Sequence, residues 1–228
     1  MTDAIQIAKR NFRAQPIICA RTKAVKGLEL LSRNRLDFSD QQSMLMADVE
    51  AIKAAWVVAN HYKGSMRVHC NVEMSSMASL LWTDTMVEYM CPGVVVELVE
   101  RNDSLTCCRS FSRMCHTVQW LRRMGGVVAM DDWTGTPIEM NMLSELSPEI
   151  IKVNEPRYLS QVTACGLGPE THIVVERIET QQQAYEAARI GATELQGYWC
   201  DVLVENEFPA EFTPPGVMAR DMALAMVA

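Results

Sequence analysis

The sequence predicts an α/β fold, a modified TIM-type (β/α)8 barrel whose first strand runs antiparallel to its neighbours. Eight short runs are rich in apolar residues, most of them continuously so, as expected for strands buried on both faces of a sheet. From the second run onward, amphipathic stretches separate them at the spacing of βα units. Only a few residues around Lys23 join the first two runs, too few for a parallel crossover. An open doubly wound sheet is the alternative.

The predicted strands and two of the helices have clear limits in the sequence. In TQQQAYEAARIGA (180–192), Thr180 is the predicted N-cap and Gly191 the residue that ends the helix. In SFSRMCHTVQWLRRMGG (110–126), the apolar residues fall on one helical face and Gly125 stops the helix. The predicted strands are QPIICAR (15–21), VKGLELLSR (25–33), MRVHCNVE (66–73), GVVVELVE (93–100), GVVAMDDW (126–133), EIIKVNE (149–155), HIVVERIE (172–179) and ELQGYW (194–199).

Composition narrows the class of protein. The 228 residues show no Pro/Gly/Ser linker and no low-complexity run, so we expect a single domain over 1–228. The net charge of −7 provides no general field for DNA or an anionic membrane, and neither is a predicted partner. The eight cysteines lack metal-ligand spacing, which favours reduced thiols in a cytoplasmic protein. No signal peptide and no bilayer-spanning stretch is predicted.

Polar side chains gather at the predicted C-terminal ends of the strands, where a βα barrel has its active site. The adjacent Asp131 and Asp132 follow an apolar run, and such a pair is costly to bury unless a cation lies beside it. From Asn71 onward, the polar positions recur at roughly one βα unit, so barrel closure would bring them to one rim. The set comprises Glu29, Asn71, Glu97, Asp131, Asp132, Lys152, Glu176 and Gln196.

These residue types favour a particular metal chemistry. Carboxylate and amide oxygens without histidine are hard ligands, which favour Mg²⁺ or Mn²⁺ over zinc. The carboxylates outnumber what one Mg²⁺ usually takes, so two ions sharing Asp131 are predicted, the usual arrangement for phosphodiester cleavage. Lys152 would either help deprotonate the attacking water or stabilise charge on the phosphate, and Arg33 would grip a phosphate. Each residue alone also fits a solvated loop or a helix cap; the prediction depends on the set.

The segments that carry these residues resemble EAL domains, a family of cyclic di-GMP phosphodiesterases. The resemblance extends from Gln15 to about Glu207. In the signature segment GLELLSR (27–33), Leu30 stands in place of the alanine that gives the family its name. The other matching segments are QPI (15–17), HCNVE (69–73), VVELVE (95–100), MDDW (130–133), IIKVN (150–154), VVERIET (174–180) and LQGYW (195–199).

The resemblance implies metal-dependent hydrolysis of cyclic di-GMP to linear pGpG on a barrel whose first strand is antiparallel. It implies two Mg²⁺ or Mn²⁺ ions. The implied metal ligands are Glu29, Asn71, Glu97, Asp131, Asp132 and Glu176; the catalytic residues are Lys152, Glu29 and Glu176; the substrate-binding residues are Gln15, Arg33 and Gln196; and the supporting residues are Glu100, Glu179 and Asn154.

Several positions depart from the family pattern. The loop after Asp132 reads WTGTPIE (133–139) where the family usually has Phe-Gly-Thr-Gly-Tyr-Ser-Ser, a loop that couples dimerisation to the metal site. Asn154 replaces an aspartate, and Arg177 replaces a glycine. The alternative function is therefore a weak or inactive domain that senses cyclic di-GMP or binds a protein regulator of transcription or motility. A homodimer is also expected. Within the C-terminal tail (208–228), the Met- and Ala-rich stretch PGVMARDMALAMVA (215–228) is interpreted as a partner-binding helix or as a segment packed on its own barrel.

Overall fold

Eight strands form a closed barrel in chain order in the computed structural model, which describes residues 8, 10–34, 36–37, 39–99 and 108–204. β1 pairs antiparallel with both β2 and β8, and the remaining neighbours pair parallel. The predicted barrel and its antiparallel first strand are confirmed, and the open sheet is wrong. The strands are β1 (Phe12–Cys19), β2 (Val25–Ser32), β3 (Arg67–Glu73), β4 (Val94–Val99), β5 (Val127–Met130), β6 (Ile150–Val153), β7 (His172–Val175) and β8 (Glu194–Gln196).

Helices cover the outside of the barrel and bury one face against it. Thr180 and Gln183 form a reciprocal capping box at the start of α7, and Gly191 caps its end as predicted. Gly125 follows α4 with a φ of 87°, also as predicted. The helices are α1 (Gln41–His61), α2 (Met74–Met77), α3 (Leu80–Tyr89), α4 (Cys108–Arg123), α5 (Pro137–Leu146), α6 (Pro156–Ala164), α7 (Gln181–Ile190) and α8 (Tyr198–Val204). No helix of the described ranges is long and apolar enough to cross a membrane.

Several strands are shorter than predicted at their C-terminal ends. β5 and β7 each stop one residue before an acid, Asp131 or Glu176. The chain then turns through left-handed residues, Asp132 (φ 48°) and Arg177 (φ 54°), which cannot continue a strand. Of the predicted strand residues 197–199, Gly197 forms a bend with a φ of 145°, and residues 198–199 begin α8. The acids therefore lie on short turns held by the barrel rather than within it.

The barrel interior has three levels. A middle level of apolar side chains is fully buried: Ile17, Val95, Ala129, Ile150 and Val174. At the N-terminal end of the strands, Arg67 pairs with Glu194, and His172 Nδ1 lies 3.2 Å from the same Glu194 oxygen. The C-terminal level holds the predicted polar set. Glu100 and the tail 208–228 lie outside the described residues.

Candidate active site

Strand register brings the predicted polar residues to one end of the barrel. Gln15 pairs with Glu29 between β1 and β2, and Asn71 pairs with Glu97 between β3 and β4. Because alternate residues of a strand point to the same side, these positions face inward while their neighbours pack under the helices. Lys152 reaches the same level from β6, which brings the predicted carboxylates within its reach.

The ammonium of Lys152 lies at the centre of this level. Its Nζ is 3.1 Å from Glu29 Oε2, 2.9 Å from Glu97 Oε2, 3.1 Å from Asp131 Oδ1 and 2.8 Å from Glu176 Oε1. The side chain of Lys152 is 1% exposed, so these contacts are sheltered from water. Asp131 Oδ1 is buried and lies within ion-pair distance of the lysine, although its geometry is not that of a hydrogen bond. We call these four carboxylates and the lysine the carboxylate cluster.

One lysine does not balance the charge of the carboxylate cluster. Burial and the neighbouring Glu29 raise the pKa of Glu97 well above its usual range. Burial is also the largest cause that raises the pKa of Asp131, and it raises the pKa of Glu176 to about 7. Burial alone would lower the pKa of Lys152, but the four carboxylates, Asp131 first, raise it well above its usual value. The lysine is therefore a fixed cation among an excess of acids.

Glu29 is the best-stabilised anion of the cluster. Burial acts to raise its pKa, but the charge of Lys152 and hydrogen bonds from Gln196 and Asn71 lower that pKa to about 2. Asn71 Nδ2 donates to Glu29 Oε1 at 2.7 Å, and Gln196 Nε2 donates to Glu29 Oε2. Both oxygens of this carboxylate are therefore held by amide donors, which fix its orientation.

Two further residues hold the site from behind, and sequence reasoning missed both. His69 Nδ1 lies 2.7 Å from Glu97 Oε1, and both side chains are fully buried. Burial lowers the pKa of His69 well below its usual value, so a neutral ring shares this hydrogen bond with Glu97. Asp201 accepts a hydrogen bond from Gln15 Nε2 at 3.1 Å, and Gln15 Oε1 accepts from Gln196 at 3.1 Å. His69 lies two residues before Asn71 on β3, so the alternation of a strand indicates that both side chains face the barrel interior. No comparable sequence pattern indicated a role for Asp201.

Gly197 allows two segments of the site to meet. The backbone of Ile178 donates to Gln196 O at 3.0 Å, and Trp199 donates to Ile178 O at 2.9 Å. A Cβ on Gly197 would collide with the backbone nitrogen and oxygen of Ile178, and its φ of 145° is a conformation that side chains rarely adopt. The glycine thus fixes the turn that carries Glu176 against the end of β8.

The loop that departs from the family pattern has its own internal anchor. The buried carboxylate of Glu139 accepts hydrogen bonds from the backbone nitrogens and hydroxyls of Thr134 and Thr136, at 2.7 to 3.2 Å. Thr136 is also the N-cap of α5, in a capping box with Glu139. Trp133 is buried and its backbone nitrogen donates to Lys152 O at 3.0 Å. The loop is therefore tied to α5 at one end and to β6 at the other.

The remaining predicted residues lie around this centre. Asn154 Nδ2 donates to Asp132 Oδ1 at 2.8 Å, so the amide at this position neutralises no charge but orients Asp132. Glu179 lines the same cavity as the cluster. Arg33 does not line that cavity: its Nε donates to the backbone oxygen of Phe12 at 2.9 Å. Among the described residues that line the cavity, the arginines are Arg13 and Arg177.

The cavity at the mouth of the barrel has a volume of about 400 Å³. It exposes acids of the cluster on its floor and carries two arginines and a tyrosine on its walls. We call it the mouth cavity; the members used below are Arg13, Glu29, Asp131, Glu176, Arg177 and Tyr198.

The donor chemistry of the cluster fits a divalent cation. Within the described ranges, no group of three or more His, Cys, Asp or Glu side chains is arranged to hold a metal ion; the acids are turned toward Lys152 instead. Yet the available ligands are all hard oxygens, Asp131 Oδ1 lacks a hydrogen bond, and burial raises the pKa of three of the acids. A bound divalent cation would compensate the excess negative charge of these acids, so the residues suit Mg²⁺ or Mn²⁺ chemically.

Comparison with known proteins relates this barrel to solved EAL structures. An EAL domain protein from Listeria monocytogenes superposes with a TM-score of 0.67 at 18% identity, over 90% of this chain and 97% of that one. The PaMucR phosphodiesterase in complex with c-di-GMP gives a TM-score of 0.67 at 18% identity, over 82% of this chain and 93% of that one. No model of a known family and no curated protein matches the sequence.

A third structure shares the barrel and extends beyond it. BlrP1 from Klebsiella pneumoniae, in a complex with manganese and cyclic di-GMP, gives a TM-score of 0.67 at 20% identity. The match covers 82% of this chain but 54% of that one, so this chain corresponds to about half of BlrP1. These superpositions show that this chain, a closed barrel with an antiparallel first strand, has the EAL-domain fold.

Proposed function

We propose that this protein is a metal-dependent phosphodiesterase that hydrolyses cyclic di-GMP to pGpG. The carboxylate cluster at the mouth of an EAL-fold barrel is the observation that carries this proposal. An excess of buried acids around one lysine is costly for a protein that never adds a cation there. The fold adds support, since PaMucR and BlrP1 are solved with cyclic di-GMP and BlrP1 also with manganese. We further propose a single domain and two ions.

Each polar group of the site has a distinct task in this proposal. Glu29, Asn71, Glu97, Asp131, Asp132 and Glu176 would hold the ions, which supply a polarised water at neutral pH. The charge of Lys152 and two amide donors keep Glu29 ionised, and His69 keeps Glu97 in place. Gln15 and Gln196 lie beside Glu29, where they would contact the substrate.

Lys152 suits one of its two predicted tasks better than the other. The surrounding acids raise its pKa, so its ammonium cannot take a proton from water at neutral pH. It would instead stabilise negative charge on the phosphate as the water oxygen attacks phosphorus. The bond from phosphorus to the 3′ oxygen breaks, that oxygen takes up a proton, and the phosphate remains on the 5′ oxygen of linear pGpG.

The direct test is turnover of cyclic di-GMP by the purified full chain with Mn²⁺ or Mg²⁺, followed by chromatographic detection of pGpG. We expect turnover with either ion, a loss of at least about 10²-fold in Glu29→Ala, and no product with EDTA. Glu186→Ala is the matched control, since Glu186 is exposed on α7 and does not line the mouth cavity. The absence of turnover with both ions would overturn the proposal.

A second candidate function is binding without cleavage, as a cyclic di-GMP sensor or a protein-binding regulator. It is favoured by the position of Lys152, which already engages four acids. Under this alternative, cyclic di-GMP binds with similar affinity in Mn²⁺ and EDTA and is recovered intact. If cyclic di-GMP binding is lost in EDTA and pGpG forms in Mn²⁺, the protein is a phosphodiesterase and this alternative is wrong.

A further inference from the structure

Arg177 adopts a backbone conformation that its side chain disfavours. It follows Glu176 directly and has a φ of 54°, in the left-handed region where glycine is tolerated without strain. Glycine is also the residue of the EAL segment that this part of the chain resembles. A residue in such a conformation persists where the surrounding structure or a function requires it, so we expect Arg177 to have a role at this site.

The guanidinium of Arg177 is available for a ligand. The residue is exposed, lines the mouth cavity, and makes no hydrogen bond or ion pair with another residue of the described ranges. Its charge therefore does not serve to stabilise a neighbouring acid, as Arg67 does at the opposite end of the barrel. A strained arginine without a partner among the described residues points to a ligand as its partner.

The mouth cavity contains a second arginine and an aromatic ring. Arg13 reaches it from β1 and is half-buried there. Tyr198, at the start of α8, is 60% exposed and lines the same cavity. The floor is acidic, so an anion would be repelled unless cations on the walls offset that field. Arg13 and Arg177 are the arginines among the described lining residues, and Tyr198 offers a face on which a base can stack.

We propose that Arg13 and Arg177 form a phosphate-binding pair that holds the second phosphodiester of a cyclic dinucleotide while the first lies at the carboxylate cluster. A cyclic dinucleotide carries two phosphates, and the cluster serves the one that is cleaved. The other needs its own cations in a cavity lined by acids, and arginine binds phosphate oxygens in a bidentate geometry. The choice of a cyclic dinucleotide as the ligand rests on the proposed function. The proposal of an anion site rests on the two arginines that line the mouth cavity.

The test compares variants of the full chain by calorimetry with cyclic di-GMP and with guanosine, in Ca²⁺. We expect Arg177→Ala and Arg13→Ala each to weaken cyclic di-GMP binding by about tenfold or more, and to leave guanosine binding unchanged, because guanosine lacks a phosphate. The dependence of the cyclic di-GMP affinity on salt should fall in both variants. Arg189→Ala, an exposed arginine of α7, is the matched control.

Arg177→Gly separates the ligand role from a structural one. We expect it to weaken cyclic di-GMP binding as much as Arg177→Ala does, while its melting temperature stays at or above that of the unaltered chain. If Arg177→Gly and Arg177→Ala bind cyclic di-GMP as tightly as the unaltered chain, the proposed phosphate-binding pair is wrong. Arginine-dependent binding without pGpG formation in Mn²⁺ would overturn the proposed hydrolysis alone. No cyclic di-GMP binding by the unaltered chain would overturn both.

Discussion

The two ends of the barrel interior handle buried charge in opposite ways. At the N-terminal end, Glu194 is 3% exposed and has two partners, Arg67 and His172. Despite its burial, hydrogen bonding to His172 and the charge of Arg67 lower the pKa of Glu194. At the C-terminal end, four acids share Lys152, and burial raises the pKa of three of them. An apolar level separates the two networks.

This contrast distinguishes a structural ion pair from a site built for a ligand. At the N-terminal end, the partners of Glu194 compensate its charge, although its Oε2 accepts no hydrogen bond from the described residues. A group of acids with too few cations lowers the stability of the folded chain until more positive charge arrives. Because both networks belong to one barrel and lie at similar depth, variants at one end are matched controls for the other.

The largest expected effect is on catalysis when the cation of each network is removed. Lys152→Met should reduce cyclic di-GMP turnover by at least about 10²-fold, because the phosphate loses a positioned charge. Arg67→Met should leave turnover within about threefold of the unaltered chain, once folded protein is counted. Steady-state kinetics in Mn²⁺ measures both. Equal losses in the two variants would mean that the two ends do not differ in function.

An intermediate effect is expected on stability. Arg67→Met leaves Glu194 buried with His172 alone and should lower the free energy of unfolding by about 3 kcal/mol in urea titrations. Glu176→Gln should not lower it in metal-free buffer, because it removes one of the acids that repel each other. A stability loss in Glu176→Gln as large as that in Arg67→Met would contradict the assignment of excess charge to the C-terminal end.

The smallest expected effect is a pH dependence of the melting temperature without metal. Glu176 has a pKa of about 7 in the folded chain and an ordinary value of 4.5. The folded chain therefore binds this proton more tightly, and its stability falls as pH rises from about 4.5 to 7. We expect a decrease of about 3 °C or more over this range. In Glu176→Gln, or with Mn²⁺, the decrease should be smaller; an unchanged decrease in both would count against this origin.

The sequence predicted which residues lie at the mouth of the barrel better than it predicted the contacts among their side chains. The spacing of Asn71, Glu97 and Lys152 along the chain was sufficient to place them on one rim, because barrel closure converts a βα spacing into proximity. The position of Lys152 Nζ among four acids depends on side-chain reach across the barrel, which no spacing encodes. Arg33 was predicted to bind a phosphate of the substrate, but in the structure its Nε donates to the backbone oxygen of Phe12.

The loop after Asp132 and the ends of two strands show where the structure goes beyond the sequence prediction. Thr136 and Glu139 have the Thr-x-x-Glu spacing of a capping box, which indicates that the unusual loop carries its own anchor. The predicted ends of β5 and β7 lay too far along the chain, because Asp132 and Arg177 take left-handed conformations that end the strands. These deviations lie at the rim, where the fold departs from local preference to form the site.

A titration of Mn²⁺ into the metal-free full chain, followed by electron paramagnetic resonance of the free ion, tests the excess-charge interpretation most directly. We expect saturable binding near two ions per chain at pH 8, loss of that binding in Glu29→Ala, and unchanged binding in Arg67→Met. Protein that leaves millimolar Mn²⁺ entirely free, or that binds it equally well in Glu29→Ala, would contradict a metal site at the C-terminal end of the barrel.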